Sequence, residues 1–416
     1  MDMNIENLDH RLLLEHALDD FSESSCNPFE GLQKISTLEK IINEREARKI
    51  TEKTLKRIEP FRTKSLDKLS ASEKEELKQN FMELAEELDR RKIFFSEPFL
   101  TYFMTHGYLE STEAFLDLAR GHDEGLLFSD LFQAVRNVWI MNSLQLLFDE
   151  EIRMTPSIFG YSMLYPYTDN FLDDPRKTHK EKKRFNDRLQ MVLEGAVPEA
   201  VSPEEDKVFD MIRRIETQYP RQDFPEVYRS LLMIQDAQVT SLSQGTSTRL
   251  SPSIILPISF YKGGTSVLAD AFLCKGVLKE PEMDFAFGYG AFLQLLDDFQ
   301  DIDEDRKNDH WTLFSVKNQE EIFDNEVCKL LCYINRVLEK HHFGTPKEKM
   351  IKGIIRECTR IMVMNVVGRS PHLVSERLYR HLESFSTVRL SFYREYGNRI
   401  SERMSDFDLS TRIGSL

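Results

Sequence analysis

Helical periodicity is the feature of this 416-residue chain that most restricts its fold. Apolar residues recur at intervals of three and four residues in most windows, whereas the alternation typical of strands is rare. The chain's 17 glycines and 15 prolines together make up under 8% of the 416 residues, compared with roughly 12% in an average protein. Because these residues interrupt helices, we expect the helices to be long. The sequence therefore predicts an all-α protein built as a single large helical bundle.

The distribution of charge divides this bundle into an outer and an inner part. The predicted helices at 34–59 and 72–91 are rich in charged residues, whereas the later helices are more apolar. We therefore expect residues 1–95 to form an N-terminal helical extension, packed outside a main helical domain of residues 96–416. No internal repeat or flexible linker separates the two.

The net charge and the absence of long apolar runs limit the possible partners. With 70 acidic and 55 basic residues the net charge is −15, which disfavours binding to a nucleic-acid backbone. We expect no signal peptide and no transmembrane segment, because the longest uncharged apolar stretch, 254–261, falls short of the ~18 residues required. Five sparse cysteines argue against a disulfide framework, and a cytoplasmic location is the default expectation.

An apolar helix, predicted at about 282–303, ends in a row of aspartates. Asp297, Asp301 and Asp305 are spaced i, i+4, i+8 and so lie on one helix face, which Gln294 shares. Asp298 is rotated by about 100° from Asp297. Carboxylates at a helix C-terminus oppose the helix dipole, and like charges at i, i+4 repel. The cluster therefore points to a bound cation, with a solvated helix end as the alternative.

A second apolar and aromatic helix, predicted at 155–174, ends in the same way. Asp169 and Asp173 share a face at i, i+4, and Asp174 follows them. A few oxygen ligands suit Mg²⁺, which proteins usually hold by one or two carboxylates together with the phosphates of a substrate. The two clusters together therefore predict a Mg²⁺ site and a substrate with a phosphorylated head and an apolar remainder.

The two clusters resemble the aspartate-rich motifs of the trans-type class I isoprenoid synthases, the helical family of prenyltransferases and terpene synthases. The run LQLLDDFQD at 293–301 resembles the second motif, FQxxDDxxD, and DNFLDD at 169–174 resembles DxxxD variants of the first. The pattern is most like the bacterial large-terpene synthases of the tetraprenyl-β-curcumene synthase type and covers roughly residues 95–400. The resemblance implies seven Mg²⁺ ligands: Asp169, Asp173, Asp174, Asp297, Asp298, Asp301 and Asp305.

A third segment resembles the diphosphate-binding part of this family. Prolines and the pair Gly263-Gly264 are expected to break the chain at 250–264, so that a new helix starts near residue 265 and presents free N–H groups to an anion. Lys262 and Thr265 look similar to a Lys-Thr pair of the family that contacts the diphosphate, and a Gly-Gly turn with an exposed lysine is the alternative. Gln294 and Arg306 are expected to contact the diphosphate because they lie on or beside the second cluster of aspartates, and the resemblance implies a further contact from Arg394.

The resemblance implies a Mg²⁺-dependent terpene synthase that ionises a linear prenyl diphosphate to an allylic cation, with residues 96–416 as the catalytic domain and a homodimer as a possible assembly. Aromatic rings stabilise cations through their quadrupole, and plain core packing is the alternative role for them. The candidate rings are Phe159, Tyr161, Tyr165, Phe285, Phe287, Tyr289 and Phe292.

Three other functions are open at this point. A trans-prenyltransferase that condenses its substrate with isopentenyl diphosphate is disfavoured, because no GGKxR-like element precedes residue 150 and the first motif begins Asp-Asn. Coupling of two prenyl diphosphates, as in squalene synthase, fits the first motif better than the second. A non-catalytic helical scaffold with acidic surface clusters belongs to a different class, and Mg²⁺ with pyrophosphate should not stabilise it.

Overall fold

The structure, a computed structural model, describes residues 9–61, 69–123, 125–174, 176–245, 248–318 and 321–405. These ranges contain no β-strand, and a single β-bridge within them pairs Gly245 with His310. The all-α class is therefore confirmed, and the isoprenoid synthase type stays a prediction. The α-helices in the described ranges are α1 (His10–Ser22), α2 (Thr37–Ile58), α3 (Ala71–Arg90), α4 (Phe99–Thr105), α5 (Tyr108–His122), α6 (Phe128–Leu147), α7 (Pro156–Asp173), α8 (His179–Leu193), α9 (Pro203–Gln218), α10 (Pro225–Ser241), α11 (Pro252–Lys275), α12 (Glu280–Gln300), α13 (Ile302–Lys307), α14 (Asp324–Lys340), α15 (Glu348–Arg369), α16 (Glu376–Phe385) and α17 (Leu390–Ser405).

Helix α11 lies at the centre of the bundle. It packs most extensively against α12 and α10, and it also contacts α6, α7 and α1. Its sequence is apolar on nearly all sides, as expected for a helix that other helices surround. Even so, none of the helices in the described ranges combines the length and apolarity that crossing a bilayer requires.

The expected break at 250–264 is absent, because α11 runs without interruption from Pro252 to Lys275. Pro252 occupies the first turn, where a missing N–H costs nothing, and Pro257 is accommodated inside the helix. Gly263 and Gly264 are both buried and helical. Tertiary packing therefore overrides the helix-breaking tendency of these residues, and no helix starts near residue 265.

The two glycines of α11 are explained by the close approach of α12. A Cβ atom on Gly263 would lie 2.3 Å from the carbonyl oxygen of Gly290, and one on Gly290 would lie 2.1 Å from the carbonyl oxygen of Gly263. A Cβ atom on Gly264 would lie 2.5 Å from the ring of Phe287. Only residues without a side chain fit at this crossing, so the glycines set the distance and the register between α11 and α12.

The acidic helix ends earlier than expected. We expected it to reach residue 303, but α12 ends at Gln300 and the short α13 begins at Ile302. The N–H group of Asp301 still donates to the carbonyl of Asp297, and that of Asp305 donates to the carbonyl of Asp301. These bonds keep the helical spacing of the three aspartates across the junction.

The N-terminal helices are held in two different ways. Phe21 of α1 belongs to the main hydrophobic core, and the carboxylate of Asp20 binds Arg336 and Lys340 of α14 at 2.8 and 2.7 Å. Helices α2 and α3 instead form a small separate core with α17, next to the ion pair between the buried Glu44 and the partly exposed Arg389. The boundary predicted at residue 95 stays a prediction.

One pair of cysteines departs from the expectation of no disulfide framework. Cys26 forms a disulfide with Cys332, with the two Cα atoms 5.7 Å apart, whereas Cys274, Cys328 and Cys358 are free. The bond ties the segment after α1 to α14. Disulfides are rare in the reducing cytosol, so a cytosolic copy of this chain is expected to carry these two thiols reduced.

The glycine crossing yields a test of the fold. Replacing Gly263 with Ala should lower the free energy of unfolding by about 1–3 kcal/mol, because the new methyl group overlaps the backbone of α12. Gly121 of α5 serves as the control, since a Cβ atom there meets nothing within 4 Å, and its change to Ala should add about 0.5–1 kcal/mol. Urea denaturation of both variants measures the difference. Equal stability of the two variants would contradict the crossing.

Candidate active site

Side chains on one face of α6 reach an aspartate on each of the two aspartate-bearing helices. Nε2 of Gln133 donates to Oδ2 of Asp169 at 2.9 Å, and Nη2 of Arg136 lies 3.9 Å from Oδ1 of Asp297. Residues three apart on a helix are neighbours, with Cβ atoms about 5–6 Å apart. One turn of α6 therefore contacts an aspartate of each motif, through a hydrogen bond to Asp169 and a longer ion pair with Asp297.

The aspartates at the end of α12 form one electrostatic cluster. Burial raises the pKa of Asp305 to about 7, and repulsion from Asp298, Asp301 and Asp297 adds to the shift. The pKa of Asp301 is also raised, by burial and by the charge of Asp297. The four carboxyl groups are thus close enough to disfavour each other's ionisation, as the helical spacing predicted.

Asp298 is held inside the protein by neighbouring side chains. The amide of Gln294 donates to Oδ1 at 2.8 Å and the hydroxyl of Ser259 donates to Oδ2 at 3.1 Å. Burial raises the pKa of Asp298 to about 6, although the positive charge of Lys262 opposes this shift. Asp298 therefore links α12 to α11, and Gln294, predicted to bind the diphosphate, binds Asp298.

The first motif is only partly described. Asp173 is the last residue of α7, and its side chain lies outside the described part of the chain. Asp174 caps the helix and binds the guanidinium of Arg176, with Nη2 to Oδ2 at 2.9 Å. These hydrogen bonds lower the pKa of Asp174 to about 2. The carboxylate of Asp174, which we predicted as a Mg²⁺ ligand, is therefore paired with Arg176.

Lys262 and Thr265 have different surroundings. Lys262 is partly exposed on α11, and its charge also lowers the pKa of His310, which burial already lowers. Lys262 thus lies between α12 and the segment after α13. The hydroxyl of Thr265 is fully buried and donates to the carbonyl of Tyr261 at 2.7 Å. Because α11 is continuous here, Thr265 and its neighbours present no free N–H groups, and the expected anion site at a helix start is absent.

The two predicted arginines are engaged elsewhere. Nη2 of Arg306 donates to the carbonyl of Lys317 at 3.1 Å. Arg394 is exposed on α17, where its charge acts on Tyr379 of α16. In the described part of the chain, no hydrogen bond or ion pair joins either arginine to the aspartates of α7 and α12.

Below the aspartates, the interior between α6, α7, α11 and α12 is polar as well as aromatic. The hydroxyl of Tyr165 is hydrogen-bonded to that of Ser266. One turn away, the amide of Asn137 donates to the hydroxyl of Ser162 at 3.2 Å. Lys262, Ser266 and Asp270 follow each other at i, i+4, i+8 on α11. We call this stack of side chains the interior column.

Within the described residues, the deepest layer of the interior column contains two buried polar groups that lack a well-aligned hydrogen-bond partner. Both carboxyl oxygens of Asp270 and the hydroxyl of Tyr161 are buried and form no well-aligned hydrogen bond within the described residues. Burial raises the pKa of Asp270 well above its ordinary value, and the nearby amide of Asn137 only partly opposes this shift. Burial raises the pKa of Tyr161 and Tyr289, and the carboxyl group of Asp270 adds to both shifts.

A small apolar cavity opens beside this column. It has a volume of about 50 Å³ and lies between α7, α8 and α10, with Tyr161 and Tyr165 on one side. Ligand pockets usually measure roughly 300–1,000 Å³, so a prenyl chain requires these helices to move apart. Of the predicted aromatic rings, Tyr161, Tyr165 and Tyr289 face the column. The other four are fully buried: Phe159, Phe285, Phe287 and Phe292.

The carboxylates of Asp169, Asp297 and Asp301 lie at one end of the interior column, which we call its mouth. Their chemistry suits Mg²⁺. Among the side chains that the structure describes, no three acidic, histidine or cysteine groups converge on one point. Mg²⁺ does not require such a cage, because it usually keeps several waters and binds one or two carboxylates together with substrate phosphates. Asp169 on one side and Asp297 with Asp301 on the other therefore fit an ion that is bound jointly with a phosphorylated substrate.

Several residues of the site were not found from the sequence. Gln133, Arg136 and Asn137 lie on α6, and their spacing of i, i+3, i+4 marks one polar face. Asp270 is the only acidic residue of α11, and an isolated carboxyl group in so apolar a helix is a usable signal. Both patterns could have been found by looking for single polar residues in apolar helices.

Comparison with known proteins gives no further guide. No protein family model, curated protein or solved structure matches the chain. A function must therefore be inferred from the site itself and from the two motifs.

The buried carboxyl group of Asp270 predicts a pH-dependent effect of its removal. As the pH rises above the ordinary carboxyl pKa, the unfolded chain ionises at this position while the folded chain stays protonated, so the wild type loses stability. Asp270→Asn does not titrate. Its stability relative to the wild type should therefore increase with pH, by up to about 1.4 kcal/mol per pH unit.

Urea denaturation between pH 5 and pH 8 measures this slope. Asp303→Asn removes an exposed carboxylate of α13 and is the control. A stability difference for Asp270→Asn that does not change with pH would show that the carboxyl group is solvated in the folded protein.

Proposed function

We propose that this chain is a Mg²⁺-dependent synthase of the class I isoprenoid type, which ionises a linear prenyl diphosphate and releases diphosphate with a terpene. One observation carries the proposal: Gln133 and Arg136, on the same face of α6, bind Asp169 and Asp297 respectively. One turn of α6 thereby contacts both acidic motifs, which lie 128 residues apart in sequence, and this supports a shared site.

The residues at the mouth have distinct roles in this proposal. Asp169, Asp297 and Asp301 would hold Mg²⁺, which when bound neutralises charge on the diphosphate as its bond to carbon breaks. Lys262 and Arg136 supply positive charge next to the aspartates, where it stabilises the leaving group. Asp298 binds Gln294 and Ser259 and so positions α12 against α11 rather than binding the ion.

The interior column would receive the hydrocarbon chain. The rings of Tyr161 and Tyr165 pack edge to face with centroids 5.6 Å apart, and the Tyr289 ring lies on the opposite helix. Their π-faces stabilise positive charge. The small cavity between α7, α8 and α10 marks where the column can widen to admit the chain.

Binding of the diphosphate provides the first test. Mg²⁺ together with pyrophosphate should raise the melting temperature of the wild-type protein, by the free energy that linkage predicts at saturating ligand. The double variant Asp297→Asn, Asp301→Asn should lose this shift. Asp303→Asn, which removes an exposed carboxylate two residues further on, should retain it. No shift in the wild type would favour a non-catalytic scaffold.

Turnover provides the second test. Incubation with C10 to C35 prenyl diphosphates and Mg²⁺ should release diphosphate, and the Asp297/Asp301 double variant should be at least about 100-fold slower, as for the loss of transition-state charge stabilisation in other enzymes. Release as fast as that of the wild type would refute the assignment of these two aspartates. Products that lengthen when isopentenyl diphosphate is added would instead identify a trans-prenyltransferase.

A further inference from the structure

The deepest layer of the interior column is chemically unusual for a site that receives a hydrocarbon. Asp270 and Tyr161 are fully buried side chains whose polar atoms lack well-aligned partners within the described residues. Most buried polar groups in native proteins are hydrogen-bonded, and each exception calls for an explanation. Evolution usually retains such a cost where a function needs it.

The geometry around these two groups suits one small polar molecule. Asp270 on α11 lies near Asn137 on α6 and near Tyr161 on α7, because the residues one turn away are in contact. Cys274 Sγ donates to the carbonyl of Met141 at 3.5 Å, and the hydroxyls of Tyr165 and Ser266 are hydrogen-bonded. Asp270, Asn137 and Tyr161 provide both donors and acceptors from three different helices. Buried water molecules typically form about three hydrogen bonds to groups that otherwise lack partners. A water molecule is therefore the occupant whose chemistry matches this layer.

We infer that Asp270 and Tyr161, with Asn137, bind a water molecule that captures the carbocation, so that the product is an isoprenoid alcohol rather than a hydrocarbon. This inference rests on the proposed function. The layer lies two helical turns below Asp169, because Tyr161 precedes Asp169 by eight residues on α7, about 12 Å along the helix axis. The chain of a substrate held by its diphosphate at the mouth passes through this layer.

The capture step is balanced without any further reagent. The carbon–oxygen bond to the diphosphate breaks, and the electron pair leaves with the diphosphate. The water oxygen then donates a lone pair to the cationic carbon and forms a new carbon–oxygen bond. The proton released passes by way of the hydroxyls of Tyr165 and Ser266, which are hydrogen-bonded to each other, toward the mouth. There the released diphosphate accepts it, since phosphate groups titrate near neutral pH.

Another buried tyrosine provides a matched control. Tyr333 on α14 is also fully buried, and its hydroxyl also lacks a partner in the described residues. It packs against Phe21 and Phe260, on the side of the bundle where α1 docks. Tyr161→Phe and Tyr333→Phe therefore remove the same group from the same kind of environment, but only the first removes it from the interior column.

The experiment is incubation of the full-length protein with Mg²⁺ and prenyl diphosphates in water enriched in ¹⁸O, followed by mass spectrometry of the products. We expect an alcohol that carries one ¹⁸O atom as the main wild-type product. Tyr161→Phe and Asp270→Leu should lower the ratio of alcohol to hydrocarbon at least tenfold, and Tyr333→Phe should leave it unchanged. This ratio does not depend on total turnover, and Asp270→Val, which also removes the polar group, replaces Asp270→Leu if the latter fails to fold.

The outcomes separate this inference from the proposed function. Diphosphate release with hydrocarbon products alone, or an alcohol fraction that is the same in Tyr161→Phe and the wild type, would overturn the inference and leave the proposed function intact. No diphosphate release by the wild type from any of the substrates would overturn both. Stability supplies a readout without turnover: Asp270→Leu should melt at a higher temperature than the wild type, because a group kept for function costs stability.

Discussion

The backbone contact between Gly263 and Gly290 is the constraint on which the rest of the site depends. The carbonyl oxygens at this crossing occupy the space that side chains would fill, so α11 and α12 can approach in one register only. One turn from the crossing, Ser259 of α11 reaches Asp298 of α12. The same register brings Lys262 close to Asp298. The positions of Asp298 and Lys262 at the mouth of the column therefore depend on the contact between Gly263 and Gly290.

The column beneath the mouth combines close packing with buried polar groups, which an ordinary hydrophobic core largely excludes. Packing around α11 is close, and more than half of its residues are buried. Asp270, Tyr161, Asn137 and Ser162 nevertheless point polar atoms into the same space. A sequence selected for stability alone would place apolar groups at such positions. These polar groups therefore indicate a functional region inside the bundle. The small cavity beside them indicates where α7, α8 and α10 can move apart.

Much of the fold and the two ends of the site could be predicted from the sequence. Helical periodicity identified an all-α protein, and the i, i+4 spacing of the aspartates placed each row on one helix face. The continuity of α11 could not be predicted, because Pro257 and the Gly263-Gly264 pair are typical of breaks and only the packing of α12 explains them. The ion pair of Asp174 with Arg176 and the contact of Arg306 with Lys317 depend on local geometry that spacing does not contain. Asp270 was missed because a single polar residue forms no motif.

The most direct measurement of the central claim is a double-mutant cycle between the two motifs. Asp169→Asn, Asp297→Asn and the double variant would be titrated with Mg²⁺ and pyrophosphate in a calorimeter. If both carboxylates face one site, each single change weakens binding and the two effects are not additive, with a coupling free energy of at least about 0.5 kcal/mol. Strictly additive effects, or wild-type binding by either single variant, would contradict a shared site at the end of the bundle.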